Sequence, residues 1–265
     1  MRYDGRYAVL MYPFSPTRRI ILQSTKEGHL DMTTSSTNEP PASAPAVMRN
    51  YHEVLRNDLY KVLTPLLAAA DIAGFANAWR DYTAAIAVHA AMEDGVEGSG
   101  GGTVAMLDHY FDGAAQASKF IAEHAQEHAE QAAVTAAVND GIDALRAAFG
   151  TYCCTAEAHL LSEETVLQPL VVQLPLPKAP KFAEWCVSAG IAHGGFEHFV
   201  AHGVRSLSMF GSTKNPPVTA TRVFVQALKA VSTAEQWAAH RPIVLASMPD
   251  AIWEAVVAEV PSLAH

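Results

Sequence analysis

Residues 145–170 read LRAAFGTYCCTAEAHLLSEETVLQPL and contain few residues that break a helix. Apolar residues recur in it at steps of three and four, which is the spacing of one face of an α-helix. That face begins with Leu145 and Phe149 and continues through His159 and Glu163. A histidine and, four residues later, a glutamate therefore stand where apolar residues are expected.

Three earlier segments carry the same kind of substitution. In the second, His89 and Glu93 continue an apolar face that begins with Trp79, Tyr82 and Ile86. The other two segments add His52 in the first, in line with Leu55, Leu59, Leu63 and Leu66, and His124 and His128 in the third, in line with Ile121 and Ala132. The pattern predicts that all of these polar side chains point into a common core.

The positions of helix-breaking residues along the chain predict an all-α protein. Segments rich in Ala, Leu and Val favour helix and are separated by glycine, proline and asparagine breaks. Four long helices are expected over 47–69, 75–95, 113–138 and 141–173, each long enough to cross a domain at about 1.5 Å per residue. Residues 181–265 are expected to form three further helices, interrupted at Gly194-Gly195, at 211–217, and at Pro242 and Pro249.

Three regions follow from these breaks. Residues 33–46 are rich in Ser, Thr and Pro, so we expect 1–46 to be a flexible or disordered lead-in. Residues 47–173 form the helical domain that carries the polar residues. We expect 181–265 to be a helical extension packed on that domain or used as a dimerisation surface, which leaves monomer and homodimer both open.

Composition excludes several classes of protein. The chain has 265 residues, 12 of them histidine, and a formal net charge of -9, so it offers no basic surface for nucleic acid. Apolar runs stay short of the ~18–20 residues that span a bilayer, which predicts a soluble protein without a membrane partner. Three cysteines without a CxxC pair fit a reducing, cytoplasmic location.

The buried polar set predicts a metal site. Burying even one carboxylate without a partner costs several kcal/mol, and here two carboxylates and five imidazoles lie on faces that should meet. Imidazole nitrogen and carboxylate oxygen are good ligands for iron, manganese or zinc. A single histidine on an apolar face is usually a hydrogen-bonded core residue, whereas the joint pattern on four consecutive helices favours a metal.

Other metal and nucleotide families do not fit. Ferritin-like carboxylate proteins use Glu-x-x-His, and no histidine here has Glu or Asp three positions before it. The zinc-protease motif fails because His52-Glu53 is followed by Arg56 where a second histidine is needed. The glycine-rich stretch 98–102 lacks the Lys-Ser or Lys-Thr of a phosphate-binding loop.

The order of these motifs resembles the hemerythrin family, and in particular the hemerythrin-like HHE cation-binding domains. The resemblance covers 47–173, about half of the chain. It implies an up-down-up-down four-helix bundle around a non-haem centre of two irons, or of iron and manganese. The ligands it implies are His52, His89, His124, His128 and His159, with Glu93 and Glu163 as bridges. It assigns His124, His128 and His159 to one ion, and His52 and His89 to the other, which keeps an open position.

Two departures from the family stand out. Oxygen-carrying hemerythrins have an Asp five residues after the fourth-helix histidine, whereas this chain has Glu163 at four and Glu164 at five. Glu at four fits the HHE branch, and Glu164 stays an alternative bridge. The connection 94–112 is also long for a bundle, and His109 within it is an alternative ligand if the third helix begins early.

The resemblance implies that the centre binds dioxygen, peroxide or nitric oxide. Decomposition of peroxide is an activity such a centre can carry, and whether the protein is an enzyme stays open. Tyr82 and Tyr152, each one heptad before a histidine, are candidates to reach toward the site. The rival hypotheses are a non-catalytic iron or oxygen sensor and a metal-free helical domain.

Two further features carry weaker signals. His193, His198 and His202 would suit a second metal site, but a surface or interface helix is favoured because no carboxylate-bearing helix follows. Cys153 is predicted to be a small buried hydrophobe rather than a redox group.

Overall fold

The computed structural model describes residues 44–96, 102–174 and 179–265, with side chains from residue 49 in the first range and from 185 in the last. Within these ranges every regular element is a helix and no strand occurs, which confirms the all-α prediction. The predicted lead-in 1–46 lies outside the described residues except for its last three positions, which are helical. The glycine-rich stretch 98–102 lies outside them except for Gly102.

The predicted long helices are present with shifted ends. They are α1 Ala44–Asn57 with α2 Thr64–Ala68, then α3 Ile72–Asp94, α5 Ala117–Ala137 and α6 Ile142–Gln173. A π-helical turn, Asp58–Leu63, joins α1 to α2. A short helix, α4 Thr103–Tyr110, lies in the long connection before α5, close to the helical turn that the sequence predicts over Val104 to Phe111. The Asp71 side chain caps α3 by accepting from the Gly74 amide at 2.9 Å.

The prediction of three helices over 181–265 was wrong. The chain forms α7 Ala179–His193, α8 Phe196–Phe210, α9 Pro217–Val231, α10 Ala234–Ala246 and α11 Asp250–Glu259, followed by the 3₁₀ turn Pro261–Ala264. Thr233 starts α10 with a capping box to Gln236, a break that the sequence reading missed. Pro242 lies inside α10 and does not interrupt it, whereas Pro249 precedes α11 as expected.

Helix α6 contacts α1 and α5 with the chain order reversed. Arg49 hydrogen-bonds to Gln168 and Arg56 to Glu157, so later residues of α1 meet earlier residues of α6. Helix α5 behaves in the same way. Lys119, near the start of α5, binds Ser162, and Gln131, further along α5, binds the earlier residue Tyr152 of α6.

Helix α3 contacts α6 with the chain order preserved. The Tyr82 and Tyr152 hydroxyls are 2.6 Å apart, and His89 lies 3.7 Å from Glu163 further along both helices. Toward α5 the order is reversed again, because the Trp79 indole donates to Thr135 Oγ1 at 3.0 Å, whereas the later residue Glu93 lies 3.3 Å from the earlier residue His124. These contacts bring the polar positions of α1, α3, α5 and α6 to one level.

Apolar layers lie on both sides of that level. On one side aromatic rings from α3 and α6 pack edge to face, including Trp79 against Tyr152 at 5.1 Å between ring centroids. On the other side Val104 and Leu107 of α4 pack with Phe120 and Leu167. The polar residues are therefore enclosed between two hydrophobic clusters of the same domain.

The C-terminal helices cover α1 and α3. Helices α7 and α8 pack against α3, and α8 and α9 pack against α1. Gly203 of α8 allows close approach, since a Cβ there would lie 3.1 Å from the Tyr51 ring and 3.2 Å from the Phe224 ring. Among the described helices, none combines the length and apolar character needed to cross a membrane.

Candidate metal centre

Two overlapping groups of buried side chains form the centre. One contains His52, His89, Glu93 and Glu163, and the other contains Glu93, His124, His159 and Glu163. Within each group the donor atoms lie within 4.8 Å of one another. The two glutamates belong to both groups, so the cluster has two positions that share two carboxylates.

Glu163 lies at the middle of the cluster and is completely buried. Its Oε2 is 2.8 Å from His52 Nε2 and 3.7 Å from His89 Nε2. Its Oε1 is 2.5 Å from His159 Nε2 and 3.8 Å from His124 Nε2. Each carboxylate oxygen therefore faces one pair of histidines.

Glu93 closes the other side of the cluster and is only 3% exposed. Its Oε1 lies 3.6 Å from His89 Nε2, and its Oε2 lies 3.3 Å from His124 Nε2. Glu93 thus contacts one histidine of each pair.

The inward-facing atoms make no hydrogen bond of good geometry, although two of the imidazole nitrogens lie in close ion-pair contact with Glu163. The Nε2 atoms of His52, His89, His124 and His159 are buried and make none, and the same holds for Glu93 Oε2 and both oxygens of Glu163. Buried polar atoms in proteins are nearly always paired. Seven such atoms converging on one small volume are the arrangement expected of metal ligands.

Three outer carboxylates hold the opposite edges of the imidazoles. His52 Nδ1 lies 3.1 Å from Glu164, His124 Nδ1 lies 2.9 Å from Asp94, and His159 Nδ1 lies 3.0 Å from Glu123. Histidines that bind metals usually donate their other N–H to a carboxylate, which fixes the tautomer and leaves the free nitrogen for the metal. Three of the four clustered histidines have this arrangement.

Two pairs of adjacent acidic residues supply both inner carboxylates and two of the three outer ones. In Glu93-Asp94 and in Glu163-Glu164 the first acid points into the cluster, and the second holds a histidine of another helix. This gives Glu164 an outer position, where Arg56 also binds it at 2.6 Å. The structure therefore separates the roles of the adjacent acids that the sequence left as alternatives.

The electrostatics follow from these contacts. Burial alone would lower the pKa of His52 and of His159, but Glu163, helped at His52 by Glu164, raises both to about 9. Burial is outweighed in the same way at His124, whose pKa rises to about 12 beside Asp94, Glu163 and Glu93. Burial would raise the pKa of Glu163, yet the four imidazoles hold it well below its usual range.

The donor set fits a pair of transition-metal ions. Each position is lined by two imidazole nitrogens and two carboxylate oxygens, and mixed N/O sets suit iron, manganese or zinc. Divalent cations would neutralise the buried carboxylates and satisfy the unpaired nitrogens. The residues present therefore fit the binding of a metal ion, as the buried polar set predicts.

Six of the seven predicted ligands come together, and His128 does not. The His128 side chain is exposed on α5, so the prediction that it lies on the core face was wrong. The buried face of α5 runs through Phe120, His124, Glu127 and Val134 instead. Ile121, used to set the predicted face, is 52% exposed.

Glu127 is the buried carboxylate that sequence reasoning missed. It is 2% exposed, and its Oε1 has no hydrogen-bond partner. The signal was available in the sequence, since Phe120, His124, Glu127 and Val134 also step by four, three and seven residues. Choosing Phe120 rather than Ile121 as the first apolar residue places Glu127 inside.

The other candidate residues lie apart from the cluster. His109 and His193 are exposed, and His198 is half-buried. His202 is buried rather than in water, and its Nε2 lies 2.6 Å from Asp58 Oδ2 in the π-helical turn. Among the described side chains, the groups able to hold a metal include none of these four histidines. Cys153 is half-buried, and burial raises its pKa to about 12, which favours the structural interpretation.

Comparison with known proteins adds no relative. No protein-family profile matches the sequence, and no curated protein or solved structure is significantly similar to it.

Proposed function

We propose that the protein is a hemerythrin-like di-iron protein that binds dioxygen, peroxide or nitric oxide at the His/Glu cluster. The observation that carries this proposal is the convergence of four unpaired imidazole nitrogens on two shared, buried glutamates. His52 and His89 would hold one ion, His124 and His159 the other, and Glu93 and Glu163 would bridge them. Iron bound there supplies reversible redox chemistry and a position for a small exogenous ligand.

The helix contacts support the arrangement that the resemblance implies. Helices α1 and α5 each meet α6 with reversed chain order, and α3 meets α6 with preserved order. Opposite directions for consecutive long helices are the pattern of an up-down-up-down bundle. The proposed four-helix bundle is therefore formed by α1, α3, α5 and α6, with α2 continuing α1 and α4 in the connection.

The chain's own groups would control what reaches the centre. The inner residues are at most 6% exposed and lie between two apolar clusters, which favours small ligands over extended substrates. Asp94, Glu123 and Glu164 would keep the imidazole tautomers fixed during binding. The hydrogen-bonded Tyr82 and Tyr152 hydroxyls lie on the aromatic side of the same core and keep their protons, because burial raises the pKa of each.

Metal analysis tests the proposal directly. Protein purified without added metal should contain about two irons, and its aerobic and anaerobic absorption spectra should differ. Less than half an equivalent of any transition metal after anaerobic reconstitution with Fe(II) would reject it in favour of a metal-free helical domain. Consumption of many equivalents of hydrogen peroxide per protein would add the peroxide-decomposing activity.

One contact favours a sensor as the second candidate. The Tyr51 ring stacks on Phe199 of α8 at 3.8 Å between centroids and lies 5.9 Å from the His89 ring. Metal binding at His89 would thereby affect the packing of Tyr51 against the C-terminal helices. Loss of helicity on chelation without any turnover of peroxide would favour this function over an enzyme.

A further inference from the structure

Glu127 lies outside the two groups of converging donor atoms, and the six residues that form them do not explain its burial. It follows His124 by three residues, so both side chains lie on the same buried face of α5. A carboxylate that is 2% exposed and has one oxygen without any partner is costly unless a cation lies near.

The charges around Glu127 come from the metal cluster itself. It interacts electrostatically with His159 and His124 most strongly, and also with Glu163 and His89. Burial raises the pKa of Glu127, and the nearby imidazoles only partly oppose that effect. Together with burial, Glu127 in turn raises the pKa of Tyr82 and of Tyr152, whose hydroxyls are bonded to each other at 2.6 Å.

We propose that Glu127 is a third carboxylate ligand, bound terminally to the ion that His124 and His159 hold. This inference rests on the proposed function, and it replaces the exposed His128 in the ligand set. The centre would then have four imidazoles and three carboxylates instead of five imidazoles and two. Two divalent ions would carry a net charge of about +1 with these three carboxylates, and the harder oxygen donor favours iron and manganese.

A matched pair of variants tests the ligand. Glu127→Ala and its neighbour His128→Ala remove the buried and the exposed candidate from the same helix. Anaerobic titration with Fe(II), and separately with Mn(II) followed by electron paramagnetic resonance, counts the ions and measures each affinity. We expect the wild type and His128→Ala to bind two ions equally well. Glu127→Ala should keep one tight ion and bind the second at least about tenfold more weakly.

The outcomes separate this inference from the proposed function. Two tight ions in Glu127→Ala, or loss of an ion in His128→Ala, would overturn the role of Glu127 while leaving a di-metal centre in place. Failure of the wild type to bind metal would overturn both. If circular dichroism shows that Glu127→Ala does not fold, the isosteric Glu127→Gln carries the test with the same expected weakening.

Discussion

His124 Nδ1 lies 2.9 Å from the Asp94 carboxylate, so the last residue of α3 orients a histidine of α5. Asp94 does not itself line the cluster, yet it fixes which nitrogen of His124 faces Glu93 and Glu163. The tautomer that suits a metal is thus set across two helices rather than within one.

Removal of this outer carboxylate should weaken metal binding without unfolding the protein. We expect Asp94→Ala to reduce the affinity of the ion beside His124 by about 10–100-fold, because the imidazole loses its orienting acceptor. The Asp94 side chain is 29% exposed, so the cost to folding should be small. Competition with a chromogenic chelator measures the affinity. Asp81→Ala removes an exposed aspartate of the same helix and should bind like the wild type; equal weakening of both variants would contradict the prediction.

The two adjacent acids of α6, Glu163 and Glu164, should differ sharply in their effect on metal content. Glu163→Ala removes the carboxylate shared by both metal positions, so we expect loss of at least one of the two ions. Glu164→Ala removes only an outer partner of His52 and Arg56 and should retain both ions with weaker affinity. The metal content of each variant, measured after gel filtration, tests these two expectations. Unchanged metal content in Glu163→Ala would show that the bridge lies elsewhere.

The metal-free protein should lose stability as the pH rises. His52 and His159 have a pKa of about 9 in the folded chain, against about 6.5 in an unfolded one. The folded state therefore binds more protons between these values. The stability they add is complete below about pH 6.5 and is lost as the pH rises through 9, at up to about 1.4 kcal/mol per pH unit for each histidine.

Denaturant unfolding of chelator-treated protein at pH 6.5, 8 and 9.5 measures this dependence. Metal binding requires deprotonated imidazoles, so the stabilisation gained on adding Fe(II) anaerobically should grow over the same range. A metal-free protein that becomes more stable with rising pH would contradict the assigned contacts.

The buried pair His202 and Asp58 should contribute to stability and not to metal binding. Their side chains are 2.6 Å apart, and His202→Ala leaves the Asp58 carboxylate buried without that partner. We expect a loss of roughly 1–3 kcal/mol in the free energy of unfolding, with two ions still bound. His198→Ala, at a half-buried position of the same helix, should cost less. Loss of metal in His202→Ala would link this pair to the centre.

Much of this architecture could be predicted from spacing alone. The faces of α3 and α6 hold enough apolar residues, such as Trp79, Tyr82, Phe149 and Tyr152, to fix which side is buried, and so His89, Glu93, His159 and Glu163 were placed correctly. Helix α5 has few large apolar residues. Its face depended on the choice between Ile121 and Phe120, and an error of one residue rotates a helix by about 100°, which exchanged Glu127 for His128.

The outer carboxylates could not be predicted in the same way. Asp94, Glu123 and Glu164 are partly exposed and lie off the apolar faces, so periodicity does not mark them. Each contacts a histidine of a different helix, and that contact depends on how the helices are packed rather than on sequence spacing. The π-helical turn Asp58–Leu63 is another such feature, since its buried aspartate pairs with a residue more than a hundred positions away.

The two pairs of adjacent acidic residues give the centre an approximate twofold symmetry that exchanges α1 with α5 and α3 with α6. His52 then corresponds to His124, and Glu93-Asp94 to Glu163-Glu164. The position equivalent to Glu127 is Leu55, which is fully buried and apolar. Glu127 and Glu123 therefore break the symmetry, since the positions equivalent to them are Leu55 and Tyr51, and the side of His124 and His159 has more anionic groups than the side of His52 and His89. An incoming anion such as hydroperoxide would be repelled from the Glu127 side and directed to the ion beside His52 and His89.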